Sequence, residues 1–162
     1  MKKLILLLLI CLFSTKGFSQ TCPNSQVFAT QAAVSNFGNT YSHCTQISSL
    51  TIVSNVIDLS PLSNLTTIGS LTISGTQLIN LSGLNSLASV VTLAITSNNN
   101  LNNISALQNI NNQTITNLNI SNNPQLSECS LPNFCNYLAG TSISSISNNK
   151  TGCNSKAEIQ AD

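Results

Sequence analysis

The acidic, histidine and cysteine residues that could support catalysis are few and lie far apart along the chain. The acids are Asp58, Glu128, Glu158 and Asp162, and His43 is the single histidine. Paired-carboxylate hydrolysis needs two acids that converge on one bond, and nucleophilic catalysis needs a base beside the nucleophile. Because no such set can be assembled from this sequence, we expect a protein that is not an enzyme and that uses no cofactor.

Cysteine placement indicates disulfides rather than a metal site. Five cysteines follow the N-terminal leader, and they cluster near the two ends of the remaining chain: Cys22, Cys44, Cys129, Cys135 and Cys153. Cysteines of a secreted chain form disulfides, and the placement predicts that Cys22 pairs with Cys44 and Cys129 with Cys153. The sequence has no C-x-x-C motif and only one histidine, so we expect no metal.

The first 19 residues predict a secretory signal peptide, because a basic start precedes an apolar run from Leu4 to Phe13 and the small-x-small site Gly17–Ser19. The apolar run is too short to span a bilayer comfortably. We therefore expect a secreted or cell-surface protein without membrane insertion after cleavage. Beyond the leader only Lys150 and Lys156 are basic, and so few cations exclude an electrostatic surface for nucleic acid.

The remaining 143 residues, Gln20 to Asp162, are about the size of one domain. Their centre is a repeat of the form L-x-x-L-x-L-x-x-N, which starts at Ile47, Ile68, Val90 and Ile115. The starts are 21, 22 and 25 residues apart, within the range of leucine-rich repeats. Stacking several such units buries an apolar edge that one unit alone would expose.

The spacing within each repeat predicts a strand and then a turn. Leu50 and Ile52 are two apart and therefore point to one face of a strand, while Thr51 points to the other. The residue that follows each strand is expected to bond the backbone of the turns as a ladder, formed by Asn55, Thr76, Asn98 and Asn123. The second half of each repeat has apolar residues every three positions, which favours a 3₁₀-like return segment.

Both ends of the chain are expected to form helical caps over the stack. Thr30 predicts the start of a helix over residues 31–37 with Gly38 as its stop. At the other end, Pro132 predicts the first turn of a helix that continues through Leu138. A last strand is expected around Ile143 and Ile146, and the spacing of Ser155 and Glu158 is that of a capping box.

These motifs resemble known secreted proteins. Residues 58–66, followed by 71–74, resemble the repeats of bacterial leucine-rich-repeat proteins such as the internalins, and residues 151–158 resemble the closing cap of receptor-L-domain-like bacterial proteins. In that family the final helix runs to one further cysteine, so the resemblance implies a partner for Cys135 beyond Asp162.

The predicted fold is a β-solenoid: a leucine-rich-repeat-like right-handed coil with one parallel sheet and short helical caps. Its expected parts are a signal peptide (1–19), an N-terminal cap (20–46), the coils (47–128) and a C-terminal cap (129–162) that the resemblance implies is truncated.

The outward strand positions are the expected site of function. They would form a flat surface of small neutral side chains, and we expect it to bind a protein or glycan at a cell surface. The candidate binding residues are Thr51, Thr72, Ser74, Thr96, Asn117 and Asn119. An alternative is a spacer domain of a larger surface protein, whose strand face is only solvated. Ice binding through a threonine ladder is disfavoured, because Ala94 and Asn119 interrupt it.

Overall fold

The structure, a computed structural model, describes residues 21–140 and 142–161, so the predicted signal peptide lies outside the described residues. Six strands form one parallel sheet in which each strand pairs with the next along the chain. The strands are β1 (Ser25–Thr30), β2 (Gln46–Asn55), β3 (Thr67–Ser74), β4 (Ser89–Thr96), β5 (Asn117–Ser121) and β6 (Ile143–Ser147). The helices are α1 (Gln31–Thr40), α2 (Pro132–Leu138) and α3 (Lys156–Gln160).

Equivalent apolar residues of successive strands are aligned by the pairing register. Leu50 pairs with Leu71, Leu71 with Leu93 and Leu93 with Leu118, and the isoleucines two positions later align in the same way. All of these side chains are fully buried, and burial of each stabilises the fold by about 1.5–3 kcal/mol. The inward column that the repeat predicts is therefore present.

The segments between strands close the other side of the core. Three short 3₁₀ turns lie at Ser60–Leu62, Ser105–Leu107 and Asn112–Thr114, and the apolar residues at every third position of the return segments are buried. Gly83 has a φ of +108°, and a Cβ there would lie 2.3 Å from the backbone of Leu59. Glycine at this position therefore allows successive return segments to approach closely.

The N-terminal region differs from the predicted cap in two respects. It contributes the strand β1 to the sheet, and α1 continues past Gly38 to Thr40, so the prediction that Gly38 ends the helix is wrong. A Cβ on Gly38 would lie 2.5 Å from the Cβ of Pro61, which shows that this glycine permits close packing. Thr30 does cap α1, since its Oγ1 accepts a hydrogen bond from the Ala33 N–H at 3.3 Å.

The C-terminal region follows the prediction more closely. Helix α2 starts at Pro132, and β6 covers the expected last strand. The Ser155 Oγ accepts a bond from the Glu158 N–H at 3.2 Å, as in a capping box. The Glu158 carboxylate instead accepts bonds from the N–H groups of Gly152 and Asn154, so it holds the loop before the helix.

Two disulfides join the predicted pairs of cysteines. Cys22 bonds to Cys44 and Cys129 to Cys153, with Cα atoms 5.6 and 5.9 Å apart. Cys135 is free, and its Sγ lies 3.1 Å from the carbonyl oxygen of Ile159. Such disulfides are typical of extracellular proteins.

A helix that crosses a bilayer needs about 20 predominantly apolar residues. In the part of the chain that the structure describes, no helix is both long and apolar enough to cross a membrane.

Candidate functional site

A residue with left-handed backbone conformation directly follows each of β3 to β6, and another lies one position before the end of β2. Their φ angles are between 56° and 63°, and the residues are Ser54, Gly75, Ser97, Asn122 and Asn148. Four of them are not glycine, although this region costs a residue with a Cβ roughly 1–2 kcal/mol. The ladder residue follows immediately in each case, so neighbouring bonds must hold this sharp turn in place.

The ladder supplies those bonds. The Asn98 Oδ1 accepts from the N–H of Thr76 at 3.0 Å and from its hydroxyl at 2.7 Å. The Asn98 Nδ2 donates to the carbonyl oxygens of Ile73 and Thr96. Asn123 repeats the arrangement one strand later, accepting from the Asn98 N–H. Each side chain thus joins the turn of its own repeat to the previous one.

The ladder differs from the predicted set at both ends. Asn55 is exposed, because β1 leads directly into α1 and provides no equivalent turn before it. Asn149, which was not among the predicted ladder residues, accepts bonds from the N–H and Nδ2 of Asn123, both at 3.0 Å. The pair Asn148-Asn149 repeats Asn122-Asn123, and this repetition is the signal that could have revealed it.

A second row of turns, in the segments that follow the ladder, was not predicted from the sequence. The side-chain oxygens of Asp58, Asn80 and Asn103 each accept from the N–H of the serine two residues later. These are Asx turns, and the sequence carries them as a recurring Asx-x-Ser.

The outward face of the sheet brings the predicted binding residues into three rows. Thr51, Thr72, Ala94 and Asn119 are directly paired in the middle row. Ser74, Thr96 and Ser121 lie in the row after it, and Asn117 lies in the row before it. All six candidate residues therefore share one face of four neighbouring strands.

Some of these polar groups are already bonded within the face. The Thr96 hydroxyl donates to the Ser74 Oγ at 3.0 Å, and the Ser121 hydroxyl donates to the Asn119 Oδ1 at 2.8 Å. Ser121 is only 8% exposed, so it is largely shielded from solvent. Thr51, Thr72 and the Asn119 amide nitrogen are the groups of the middle row that remain available to a ligand among the described residues.

The face has no charge and an apolar residue at each edge. None of the six strands contains Asp, Glu, Lys or Arg. Val27 in β1 and Ile143 in β6 are 64% and 68% exposed, and both point outward because they pair with Thr51 and Asn117. The buried side chains of the helices belong to the core on the opposite side, so none of the described helices covers this face.

The groups with acid–base chemistry take part in local structure. Asp58 accepts from the Ser60 hydroxyl, and Glu128 accepts from the Asn103 amide. The potential ligand atoms of Cys22, His43 and Cys44 lie within 4.8 Å of one another, but the disulfide occupies both sulfurs. Burial raises the pKa of Tyr137 above its usual value, and its hydroxyl donates to the carbonyl oxygen of Ile143 at 2.7 Å.

Comparisons of the chain with family models, with curated proteins and with solved structures found no match.

Proposed function

We propose that this protein is a secreted, non-enzymatic recognition module that binds a protein or glycan partner through the outward face of its sheet. The observation that carries the proposal is the open, neutral strand face, whose polar rows stay in register while the apolar side chains of the same strands fill the core. The two disulfides support an extracellular location.

The architecture we propose is a short right-handed solenoid similar to leucine-rich repeats. It is supported by the sequential parallel pairing, by the left-handed turn residues and by the buried asparagine ladder. Parallel strands joined by crossovers follow the right-handed rule in about 98% of cases. On this proposal the sheet is one side of a coil, and the 3₁₀ turns are the other.

The size of the face predicts weak, reversible binding. Six strands about 4.8 Å apart, with outward residues about 6.8 Å apart along each strand, give a flat area on the order of 400 Å². Stable protein interfaces bury about 800 Å² on each partner. The face also lacks the Trp, Tyr and Arg residues that dominate binding hot spots, and its neutrality predicts little dependence on salt.

The test is a variant carrying Thr72→Lys, Thr96→Lys and Asn119→Lys. These residues lie on three neighbouring strands, so the substitutions place three ammonium groups across the middle of the face. A matched control carries Ser63→Lys, Ser86→Lys and Gln108→Lys, which change three exposed residues of the return side. Both variants and the original protein are immobilised, and retention of cell-surface glycans and proteins is measured.

The expected result is that the strand-face variant folds normally but loses a partner that the original and the control both retain. The proposal is contradicted if every partner that the original protein retains is retained equally by both variants. In that case the strand face is a solvent-exposed surface without a ligand, and the protein would be a spacer domain of a larger surface protein.

A further inference from the structure

A polar groove follows the turn that the asparagine ladder holds, on a side of the molecule separate from the strand face. Two rows of side chains form its walls. One row is Gln77, Asn100 and Gln125, and the other is Ile79, Asn102 and Ser127. The residue between each pair is a fully or almost fully buried leucine, so the side chains on both sides of it must point outward.

The floor of the groove is backbone that continues from one repeat to the next. The Asn102 N–H donates to the carbonyl oxygen of Ile79 at 2.9 Å, and the Ser127 N–H donates to that of Asn102 at 3.3 Å. Parallel bridges also join Asn103 to Asn80 and to Glu128. The groove therefore runs along the stack, and its side chains repeat about every 4.8 Å.

The groove is a wide, open depression. Its volume is about 570 Å³, with Glu128 and Lys150 at one end. A neighbouring depression of about 360 Å³ shares Gln77 and Ile79 and continues past Ile57 and Asp58. Together they cross the repeats that follow β2, β3, β4 and β5 and reach Lys150.

Several polar groups of the groove have no partner among the described residues. The Asn100 Nδ2 donates to the Gln77 Oε1 at 3.0 Å, which leaves the Gln77 Nε2 available. The amides of Asn102 and Gln125 and the ammonium group of Lys150 are also available. Asparagines elsewhere, such as Asn133 and Asn149, instead bond the backbone. The groove thus concentrates donors and acceptors that the fold itself does not use.

We propose that this groove binds a neutral oligosaccharide, independently of the strand face. A side-chain amide can donate to one hydroxyl and accept from its neighbour, so a row of amides suits a chain of vicinal diols. The side chain of Ile79, which is 60% exposed, offers an apolar contact for the C–H face of a sugar ring. The single Lys150 beside Glu128 provides no footprint for a strongly charged polymer.

The repeat length distinguishes a saccharide from an extended peptide. Same-face side chains of an extended peptide recur about every 6.8 Å, whereas the rows of the groove recur about every 4.8 Å. A peptide would therefore fall out of step after one or two repeats. A β-1,4-linked hexopyranose advances its chain by a length close to one repeat of the stack, so successive rings of such a chain can meet successive amides.

The experiment is amide-detected NMR of the oxidised protein, titrated separately at millimolar concentration with cellohexaose, laminarihexaose, maltohexaose and chitohexaose, and with an extended Gly-Ser peptide. We expect at least one of the sugars to shift the side-chain signals of Gln77, Asn102 and Gln125. The variant Asn102→Leu/Gln125→Leu should then bind that sugar about 25-fold more weakly, since each of the two lost hydrogen-bonding groups contributes roughly fivefold. The control Gln108→Leu/Gln113→Leu removes two exposed amides outside the groove and should bind unchanged.

Four results would overturn the inference. The first is that none of the four sugars shifts signals of the groove, and the second is that the groove variant binds within twofold of the original. The third is that the largest shifts occur at Thr51, Thr72 and Asn119, which would support the strand-face proposal and exclude the groove as the sugar-binding site. The fourth is that an extended Gly-Ser peptide, and no sugar, shifts the groove signals, which would reassign the groove to peptides. Both variants change exposed, unpaired side chains, so an unaltered spectrum outside the groove verifies their fold.

Discussion

Replacing Asn98 with alanine should destabilise the protein severely, because its side chain is 0% exposed and serves both its own turn and the previous one. The change removes the acceptor of the Thr76 N–H and hydroxyl. It also removes the donor to the carbonyl oxygens of Ile73 and Thr96. Each buried group left without a partner costs about 1–3 kcal/mol, and water entering the gap can compensate some of them.

Two uncompensated groups near the middle of that range already lower the free energy of unfolding by about 4 kcal/mol. For a chain of this size, that loss lowers the melting temperature by roughly 10 °C. Asn100→Ala is the matched control, because Asn100 is exposed and its amide reaches only Gln77. Its cost should remain within about 0.5 kcal/mol, and the same holds for the exposed Asn55.

The substitution Asn98→Asp separates lost hydrogen bonds from lost volume. Aspartate keeps the shape but turns an oxygen toward the carbonyls of Ile73 and Thr96, where a donor is required. Burial and these carbonyls should raise the pKa of the new carboxyl in the folded state. Stability should therefore be lost as pH rises through that value and be partly recovered in acid.

Thermal melts of the variants at several pH values provide the measurement. Equal melting temperatures for Asn98→Ala and Asn100→Ala would refute the reasoning, because the ladder bonds would then contribute nothing beyond a surface amide. An Asn98→Asp protein as stable as the original at neutral pH would refute it as well.

Three further predictions concern other parts of the fold. Gly83→Ala should lower the melting temperature much more than Gly75→Ala, because a Cβ at Gly83 meets backbone at 2.3 Å whereas Gly75 faces open space; equal losses would contradict this. Replacing both Cys22 and Cys44 with serine should lower the free energy of unfolding, measured in urea, by about 3 kcal/mol, since the disulfide closes a loop with a sequence separation of 22 residues. A loss below about 1 kcal/mol would contradict this prediction. Because burial raises the pKa of Tyr137 in the folded state, stability should fall as pH rises above the usual phenol value of about 10. The variant Tyr137→Phe should lose less stability over the same pH range, and an identical decline in both proteins would contradict this prediction.

The repeated part of the fold could be predicted from sequence because several independent constraints coincide there. Leu50 and Ile52 recur with a period of two within a strand and with a regular period along the chain, and the pairing register aligns them. Asn98 and Asn123 could be placed in the ladder because a polar residue recurred at one repeat position. Repetition made each weak local signal reliable.

The first strand could not be predicted because it has no such repetition. Phe28 is the only buried residue of β1, so the segment shows no alternation of apolar and polar residues. Its strand conformation depends on pairing with β2, which is a tertiary contact. The helix stop predicted at Gly38 was wrong for a similar reason. Glycine often ends a helix, but here it is required because Pro61 packs too closely to leave room for a side chain.

The candidate sites were predicted unevenly. The outward positions followed from strand alternation, and Thr72 and Thr96 do lie on the outward face of the sheet. The groove was missed because Gln77 and Gln125 lie in segments whose conformation is set by backbone bonds between repeats. Polar residues that recur outside the strands do not indicate a shared surface until the arrangement of the repeats in space is known.

Site-specific photo-crosslinking tests the recognition proposal most directly. A benzophenone amino acid is placed at Thr72, in the middle of the strand face, or at Gln108, on the exposed return side. Each protein is added to cell-surface material and irradiated, and the covalent products are identified by mass spectrometry. The proposal predicts one reproducible partner, protein or glycan, attached through position 72 and absent at position 108. The same products from both positions, or products from position 108 alone, would contradict it.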